Sequence, residues 1–175
     1  MPIKIRKKKQ VKPYLKQIFH LLNEAYKPLF GVVPLTEKQI DMYVKQYLPL
    51  VDLNLVSLVF DEKEKLVGFG LAVPDLNKAV KAAKGKLFPI GFISLFRELK
   101  RAEGIDLLLI AVHPDYQGVG VNAVILDELQ DYIVSKYKYA ETGPELETNE
   151  KIQSQWDGYN YRQHKRRRCF KKEVV

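Results

Sequence analysis

Residues 105–133 join a continuous apolar run, a short turn with two glycines and an amphipathic helix, and this combination constrains the fold most strongly. The run from Leu107 to Val112 has no polar break, which predicts a strand buried on both faces, and Pro114 should end it because proline cannot donate to a sheet ladder. From Val121 apolar residues recur at helical spacing. A helix that opens on glycines presents bare backbone N–H groups at the positive end of its dipole. The pattern predicts an anion site, for which a phosphate group is the natural ligand.

Two phosphate ligands fit this turn. Gly118 to Ala123 has the G-x-G-x-x-A form of a dinucleotide-binding turn, and Glu141 lies where that motif requires an acid. Two features count against a dinucleotide domain. The spacer His113–Gln117 separates the strand from the first glycine, and the chain after Glu141 is too short for the repeated strand-helix units of such a domain.

The whole string from Val112 through the turn and into the helix resembles the acyl-CoA-binding motif of the GCN5-related N-acetyltransferases. Its signature is Gln or Arg, two residues, Gly, one residue, then Gly or Ala; Gln117 and Gly120 match it, whereas Asn122 departs from it. The resemblance implies that backbone amides of the turn hold the pyrophosphate of CoA. The CoA-binding residues that it implies here are Gln117, Gly118, Val119, Gly120, Val121 and Asn122.

The order of predicted elements also resembles that superfamily: strand, two helices, hairpin, strand, helix, strand, helix, strand. The resemblance implies an α/β (α+β) fold with a mixed central sheet flanked by helices, in one domain over residues 1–175. The predicted strands are 3–5, 53–60, 66–73, 105–112, 138–142 and an edge strand at 161–172. The predicted helices are 10–26, 37–47, 75–84, 92–102, one from Val121, and one of about ten residues from Thr148 or Asn149.

A helical insert is predicted at about 75–104, between the strands at 66–73 and 105–112. It departs from the family pattern, in which a tight turn joins the two corresponding strands. Its apolar helices could wall an acyl or acceptor pocket, or they could form extra packing or the surface of a homodimer. Three stretches, at 30–35, 67–72 and 164–170, look like parts of the C-terminal acetyltransferase half of longer, uncharacterised bacterial proteins. Phe30, Val32 and Val33 in the first of these stretches are exposed unless something covers them.

The resemblance also implies roles in catalysis. Backbone groups near Ile110 and Val112 would pair with the pantetheine arm, a backbone N–H there would stabilise an oxyanion, and Asn149 would hydrogen-bond CoA. Direct transfer to an amine needs a base, for which Asp106 is the best candidate because burial among leucines would raise its pKa; Glu103 and Glu141 are weaker candidates. The family's usual acid, a tyrosine seven residues after the helix-starting asparagine, is replaced by Trp156, which we expect in the core. Tyr159 or Tyr161 could substitute.

Composition limits the other function classes. A net charge of +8, clustered at both ends of the chain, suits CoA phosphates, an acidic carrier protein, an anionic membrane surface or nucleic acid, or it is simply a solvated surface. The single cysteine fits a reducing cytoplasm, and no apolar stretch reaches the length of a membrane span. The three histidines and the cysteine show no metal-ligand spacing, so no metal is expected. His113 reads as a positioning residue rather than a catalyst.

The sequence therefore predicts an acyl-CoA-dependent N-acyltransferase, an enzyme that transfers the acyl group of acetyl-CoA, or another acyl-CoA, directly to an amine that the sequence does not name. Two alternatives stay open. One is a catalytically silent binding module of the same fold, which Trp156 favours. The other is a nucleic-acid-binding protein that uses the basic C-terminal tail, although nucleic acid is not the partner that we expect.

Overall fold

The structure, a computed structural model, describes residues 7–48, 51–82, 101–170 and 172–173. They belong to two compact units, residues 1–141 and 142–175. The helices are α1 (Lys8–Val11), α2 (Leu15–Tyr26), α3 (Glu37–Tyr47), α4 (Asn77–Ala82), α5 (Val121–Lys136) and α6 (Glu150–Gln153). The strands are β1 (Val56–Phe60), β2 (Leu66–Pro74), β3 (Gly104–Val112) and β4 (Tyr139–Thr142).

The first helices follow local signals in the sequence. Pro13 lies in a 3-10 turn between α1 and α2, so the helix predicted over residues 10–26 is divided in two. Thr36 forms the expected capping box with Gln39: the Gln39 amide donates to Thr36 Oγ1 (3.4 Å), and the Thr36 amide donates to Gln39 Oε1 (2.9 Å). The bounds predicted for α3 are confirmed.

The four strands form one mixed sheet in the order β1-β2-β3-β4. β1 with β2 and β2 with β3 are antiparallel. β4 starts beside the start of β3, where the Lys138 amide donates to the Glu103 carbonyl at 2.7 Å, so these two strands run parallel. Leu71 pairs with Leu109 and Ala72 pairs with Leu107, which leaves Leu108 as a β-bulge in β3.

Helices cover both faces of the sheet. α2 packs on one face, in a cluster that includes Ile18, Leu58 and Phe69, and α5 packs on the other through Ile125 and Leu129. α5 lies close because β2 carries glycines on that face: a Cβ added to Gly70 would lie 2.3 Å from Ile125 Cγ2. The prediction that glycines in this strand permit close approach is confirmed, and this approach fixes the position of the α5 N-terminus over the sheet.

Two expectations about strands are wrong. β3 is only half-buried along most of its length, and Leu108 is 52% exposed because the bulge turns it out of the regular alternation. Residues 161–170 have no regular structure, so the edge strand predicted there does not form; this stretch is basic, and its Phe170 is 90% exposed, so it buries no apolar face. The strand predicted over 53–60 is shortened at its start by a 3-10 turn at Leu53–Leu55.

The second unit contains α6 and a following 3-10 turn, Ser154–Trp156, so the last helix is shorter than predicted. Asn149 is the N-cap residue, as the sequence indicated. The strand predicted at 3–5 and the insert helix predicted at 92–102 lie outside the described residues. Of the insert, the structure describes α4, which begins after Asp75 accepts a hydrogen bond from the Asn77 amide (2.8 Å).

Candidate functional site

The turn before α5 depends on two glycines with left-handed backbone. Gly118 has φ +81° and Gly120 has φ +90°, and a Cβ at either position would meet no atom within 4 Å. The backbone conformation, and not lack of space, therefore requires glycine. Gly120 is also the N-cap of α5 and has no side chain to cap it, so the first N–H groups of the helix have no acceptor within the helix. Backbone amides at the positive end of this 16-residue helix are therefore donors that could hold an anion.

The turn is tied to the hairpin between β1 and β2. The Tyr116 hydroxyl, at the end of a 3-10 turn, donates to Asp61 Oδ2 at 2.8 Å, and Asp61 Oδ1 accepts from the backbone amides of Lys63 (2.9 Å) and Lys65 (2.8 Å). The hydrogen bond from Tyr116 is the main cause that lowers the pKa of Asp61, and the same bond raises the pKa of Tyr116. Tyr116 therefore holds the chain immediately before Gln117.

His113 packs at the end of β3, with a side chain that is only 13% exposed. Its Nδ1 accepts from the Asp115 amide (3.3 Å), and its Nε2 lies 3.3 Å from Glu24 Oε2 on α2 and 3.1 Å from Lys65 Nζ. The ring also lies against Tyr116, with centroids 5.9 Å apart. These contacts join β3, α2 and the turn, as a positioning residue would.

The edge of β3 that faces away from β2 carries Ile110 and Val112. The His113 amide donates to the Val67 carbonyl (2.9 Å), so the backbone N–H of His113 faces β2. Successive residues of a strand point their N–H and C=O groups to opposite edges, so those of Val112 and Ile110 face away from β2. The neighbouring strand on that side, β4, has only four residues and begins beside Glu103, so it ends before it reaches Ile110. On this side of β3, none of the described strands pairs with these two residues, so their N–H groups face an edge of the sheet beyond the end of β4.

Both carbonyl groups at this edge have side-chain donors. The Tyr26 hydroxyl, from the last residue of α2, donates to the Ile110 carbonyl at 3.0 Å. Gln117 Nε2 donates to the Val112 carbonyl at 3.2 Å, which brings the turn and the strand edge together. Burial is the main cause that raises the pKa of Tyr26, so the hydroxyl keeps its proton and remains a donor. The sequence indicated no role for Tyr26, Tyr116 or Asp61, because their partners are 55 to 84 residues away in the chain.

The residues predicted for catalysis lie in different parts of the chain. Asp106 is half-buried in β3 and pairs with Val73 of β2. Ile105 and Leu107 pack in a cluster with Tyr132 and Ile133 of α5, so alternation places the Asp106 side chain on the opposite face, where α2 lies. Asp106 is thus on the strand that carries the open edge.

The other candidates, Asn149 and Tyr159, belong to the second unit. Tyr159 is 50% exposed and lies edge-on to Trp156, with ring centroids 5.9 Å apart. Trp156 is half-buried and donates from Nε1 to Glu145 Oε1 at 3.0 Å, so its ring is a packing element of this unit. Their roles in the chemistry stay predictions.

Two features bear on other kinds of site. In the part of the chain that the structure describes, no group of three or more His, Cys, Asp or Glu side chains could hold a metal ion. None of the described helices is both long enough and apolar enough to cross a membrane.

Comparison with known proteins gives two curated bacterial relatives, and no family model matches the chain. The bacterial ceramide synthase of Caulobacter vibrioides is 32% identical over 81 residues, which is 46% of this chain and 21% of that protein. Protein YghO of Escherichia coli is 25% identical over 168 residues, which is 91% of this chain and 42% of that protein. The matches therefore span less than half the length of either relative.

Solved structures with the same fold include several acetyltransferases. One is a possible acetyltransferase from Clostridium difficile 630, with TM-score 0.59 and 13% identity, matched over 100% of this chain and 97% of that chain. Another is AAC(6')-Iy in complex with the bisubstrate analogue CoA-S-monomethyl-acetylneamine, with TM-score 0.57 and 14% identity over 93% of this chain and 94% of that chain. The resemblance seen around Gln117 is thus confirmed for the fold: the chain has the α/β fold of the GCN5-related N-acetyltransferase superfamily.

Proposed function

We propose that this protein is an N-acyltransferase that transfers the acyl group of an acyl-CoA, in the simplest case acetyl-CoA, directly to an amine. One observation carries the proposal. The left-handed glycine turn that opens α5 is joined, through Gln117, to the open edge of β3. A phosphate site and a row of backbone donors at one place match the two ends of CoA, the pyrophosphate and the pantetheine amides.

The residues around the turn would hold the phosphate end of CoA. The amides of Gly118, Val119, Gly120, Val121 and Asn122 donate to the pyrophosphate oxygens. A Glu or Asp at Gly120 would place a like charge where the pyrophosphate belongs. Because the amides belong to a helix N-terminus, the dipole of α5 adds to their attraction for the phosphates.

The β3 edge would hold the reacting end. Pantetheine lies beside Ile110 and Val112, and a backbone N–H there donates to the thioester oxygen as it gains negative charge in the tetrahedral intermediate. Tyr26 fixes this edge by holding the Ile110 carbonyl. Gln117 must release the Val112 carbonyl if a pantetheine N–H is to use that acceptor. CoA binding would then couple the turn to the strand.

Proton transfer would use Asp106 and Tyr159. The amine attacks only when it is neutral, so Asp106 takes one proton from the ammonium group, and the thiolate of CoA leaves with a proton that Tyr159 supplies. The second proton that the nitrogen loses returns to Tyr159 through solvent. The attack forms the amide bond and breaks the thioester bond, and no covalent enzyme intermediate is needed.

A long-chain amine is the acceptor class that one relative favours. A ceramide is the amide of a fatty acid with a long-chain amino alcohol, so an enzyme that makes one forms an amide bond of the kind proposed here. The ceramide synthase match covers 46% of this chain and 21% of the relative. A panel of amines should therefore include long-chain amino alcohols beside short polyamines and amino sugars.

A second candidate function is CoA binding without catalysis. Trp156, which stands where the family's usual acid is expected and is engaged with Glu145, favours it. The basic residues Arg166, Arg167 and Arg168 are exposed and favour nucleic acid as a third possibility, which predicts affinity that falls steeply with salt.

Release of the CoA thiol in the presence of each amine separates these functions. An acyltransferase releases thiol with at least one amine and acyl-CoA donor, and the release falls in Asp106→Asn. Binding of acyl-CoA without release for any amine would identify the silent module. No binding and no release would contradict the proposed function.

A further inference from the structure

The loop between α2 and α3 has a composition that the acyl-CoA site does not explain. Residues 28–35, here called the Phe30 loop, contain no polar side chain: Pro-Leu-Phe-Gly-Val-Val-Pro-Leu. Phe30 is 84% exposed, Val33 is 80% exposed and Val32 is 38% exposed. An apolar run of this length on the surface normally marks an interaction site.

The loop is held in this shape by hydrogen bonds on both sides of its tip. Asn23 clamps its far end, because its side chain accepts from the Leu35 amide (2.9 Å) and donates to the Leu35 carbonyl (3.1 Å). At its near end the Leu29 amide donates to the Tyr26 carbonyl (2.9 Å), and the Val32 amide donates to the Leu29 carbonyl (3.3 Å). The exposed tip therefore has a conformation that these hydrogen bonds define.

The rim of the loop is basic. Lys27 and Lys38 flank it and are exposed. Lys16 pairs with Glu37 at 3.6 Å, so the three lysines Lys16, Lys27 and Lys38 outnumber the two carboxylates, Glu24 and Glu37, at the ends of the loop. An aromatic and aliphatic tip flanked by lysines matches the boundary between the headgroups and acyl chains of an anionic bilayer.

The loop leaves α2 directly after Tyr26, whose hydroxyl contacts the Ile110 carbonyl. A surface that holds the loop would therefore also hold the open edge of β3 near it. We propose that the Phe30 loop docks this protein on an anionic lipid bilayer, with Phe30 and Val33 inserted among the headgroups and Lys27 and Lys38 against them. The proposal goes beyond the proposed function and does not require acyl transfer.

Cosedimentation with vesicles tests it. Wild type is compared on phosphatidylcholine vesicles with and without phosphatidylglycerol. The loop variant is Phe30→Ser with Val33→Ser. The matched control is Phe170→Ser with Val134→Ser, which removes a Phe that is 90% exposed and a Val that is 71% exposed from outside the loop. All four side chains are exposed, so thermal unfolding should be the same in wild type and both variants.

We expect wild type to bind the anionic vesicles and the loop variant to bind about tenfold more weakly or worse, since two inserted apolar side chains are lost. The control should stay within about twofold of wild type. Absence of vesicle binding by wild type, an equal loss in both variants, or a loss in the control alone would overturn the assignment.

A further outcome separates the lipid surface from a second copy of this chain. Sedimentation velocity without lipid should give the same molecular mass for wild type and the loop variant. If wild type were a dimer, the loop variant a monomer, and neither bound vesicles, the loop would be an interface between copies and the proposal would be wrong. None of these measurements uses acyl-CoA, so a failure here is distinct from a failure of the proposed function.

Discussion

Tyr26 and Ile110 lie 84 residues apart in the chain, and the hydroxyl of the first donates to the carbonyl of the second at 3.0 Å. The bond links the last residue of α2 to the edge of β3 that we assign to pantetheine. It fixes the strand edge beyond the end of the four-residue β4, where none of the described strands pairs with this side of β3. One hydrogen bond thus connects the helical layer, the sheet and the proposed site of acyl transfer.

Tyr26→Phe removes this donor and should lower the free energy of unfolding by about 1 kcal/mol, because the partly buried Ile110 carbonyl loses its partner. Chemical denaturation measures the change. Tyr47→Phe is the control, since Tyr47 is 51% exposed and should tolerate the loss of its hydroxyl. Equal stability of the two variants would show that the Tyr26 bond contributes nothing.

The same hydroxyl predicts a dependence of stability on alkaline pH. Burial raises the pKa of Tyr26 above its unfolded value, so its contribution is complete below about pH 10 and is lost as the pH rises through the folded pKa. Wild type should therefore lose stability above this pH more steeply than Tyr26→Phe. Denaturation curves across the alkaline range check this, and parallel pH profiles would argue against a raised pKa for Tyr26.

Tyr116→Phe breaks the bond between the turn and Asp61. Because Tyr116 directly precedes Gln117, we expect a loss of roughly threefold to tenfold in affinity for acyl-CoA, the size of one modest hydrogen bond. Calorimetric titration of the variant beside Tyr47→Phe, a change at a 51% exposed tyrosine, measures it. Unchanged affinity in Tyr116→Phe would mean that the hairpin does not help to position the turn.

Gly70→Ala places a Cβ 2.3 Å from Ile125 Cγ2, and Ile125 is fully buried. The side chains cannot yield without moving α5, so stability should fall by about 1–3 kcal/mol, the usual range for overpacking. Gly158→Ala, at a position where a Cβ meets no atom within 4 Å, is the control for the glycine change itself. Thermal unfolding of both variants decides whether the glycine is required for the approach of α5.

The parts of the fold that the sequence predicted carry local signals. Thr36 and Gln39 form a capping box three residues apart, and the glycines at 118 and 120 stand between an apolar strand and a periodic helix. Each of these signals lies within a few residues, and the two helices that they predict, α3 and α5, were found. The edge strand predicted at 161–172 lacked such a signal: its alternation is partial and its charge is high, and the residues described there form no strand.

Contacts between distant elements were not predictable in the same way. Tyr26 is one more apolar member of the α2 face in the sequence, and its choice of Ile110 depends on how that helix lies on the sheet. Leu108 belongs to an unbroken apolar run, yet a bulge exposes it, because register between strands is set by both partners. The site is therefore predictable at its phosphate end, where the signal is local, and less so at its reacting end.

Calorimetric titration of acetyl-CoA into wild type, Gly120→Glu and Gly31→Glu tests the central claim most directly. Gly31 is the matched control, because its φ of +78° and the +90° of Gly120 are similarly unfavourable for a residue with a side chain. A Cβ at either position would meet no atom within 4 Å. We predict a single site with an affinity at least in the submillimolar range in wild type, the same affinity within about twofold in Gly31→Glu, and no measurable binding in Gly120→Glu. Normal binding by Gly120→Glu, or no binding by wild type, would contradict the assignment of this turn to acyl-CoA.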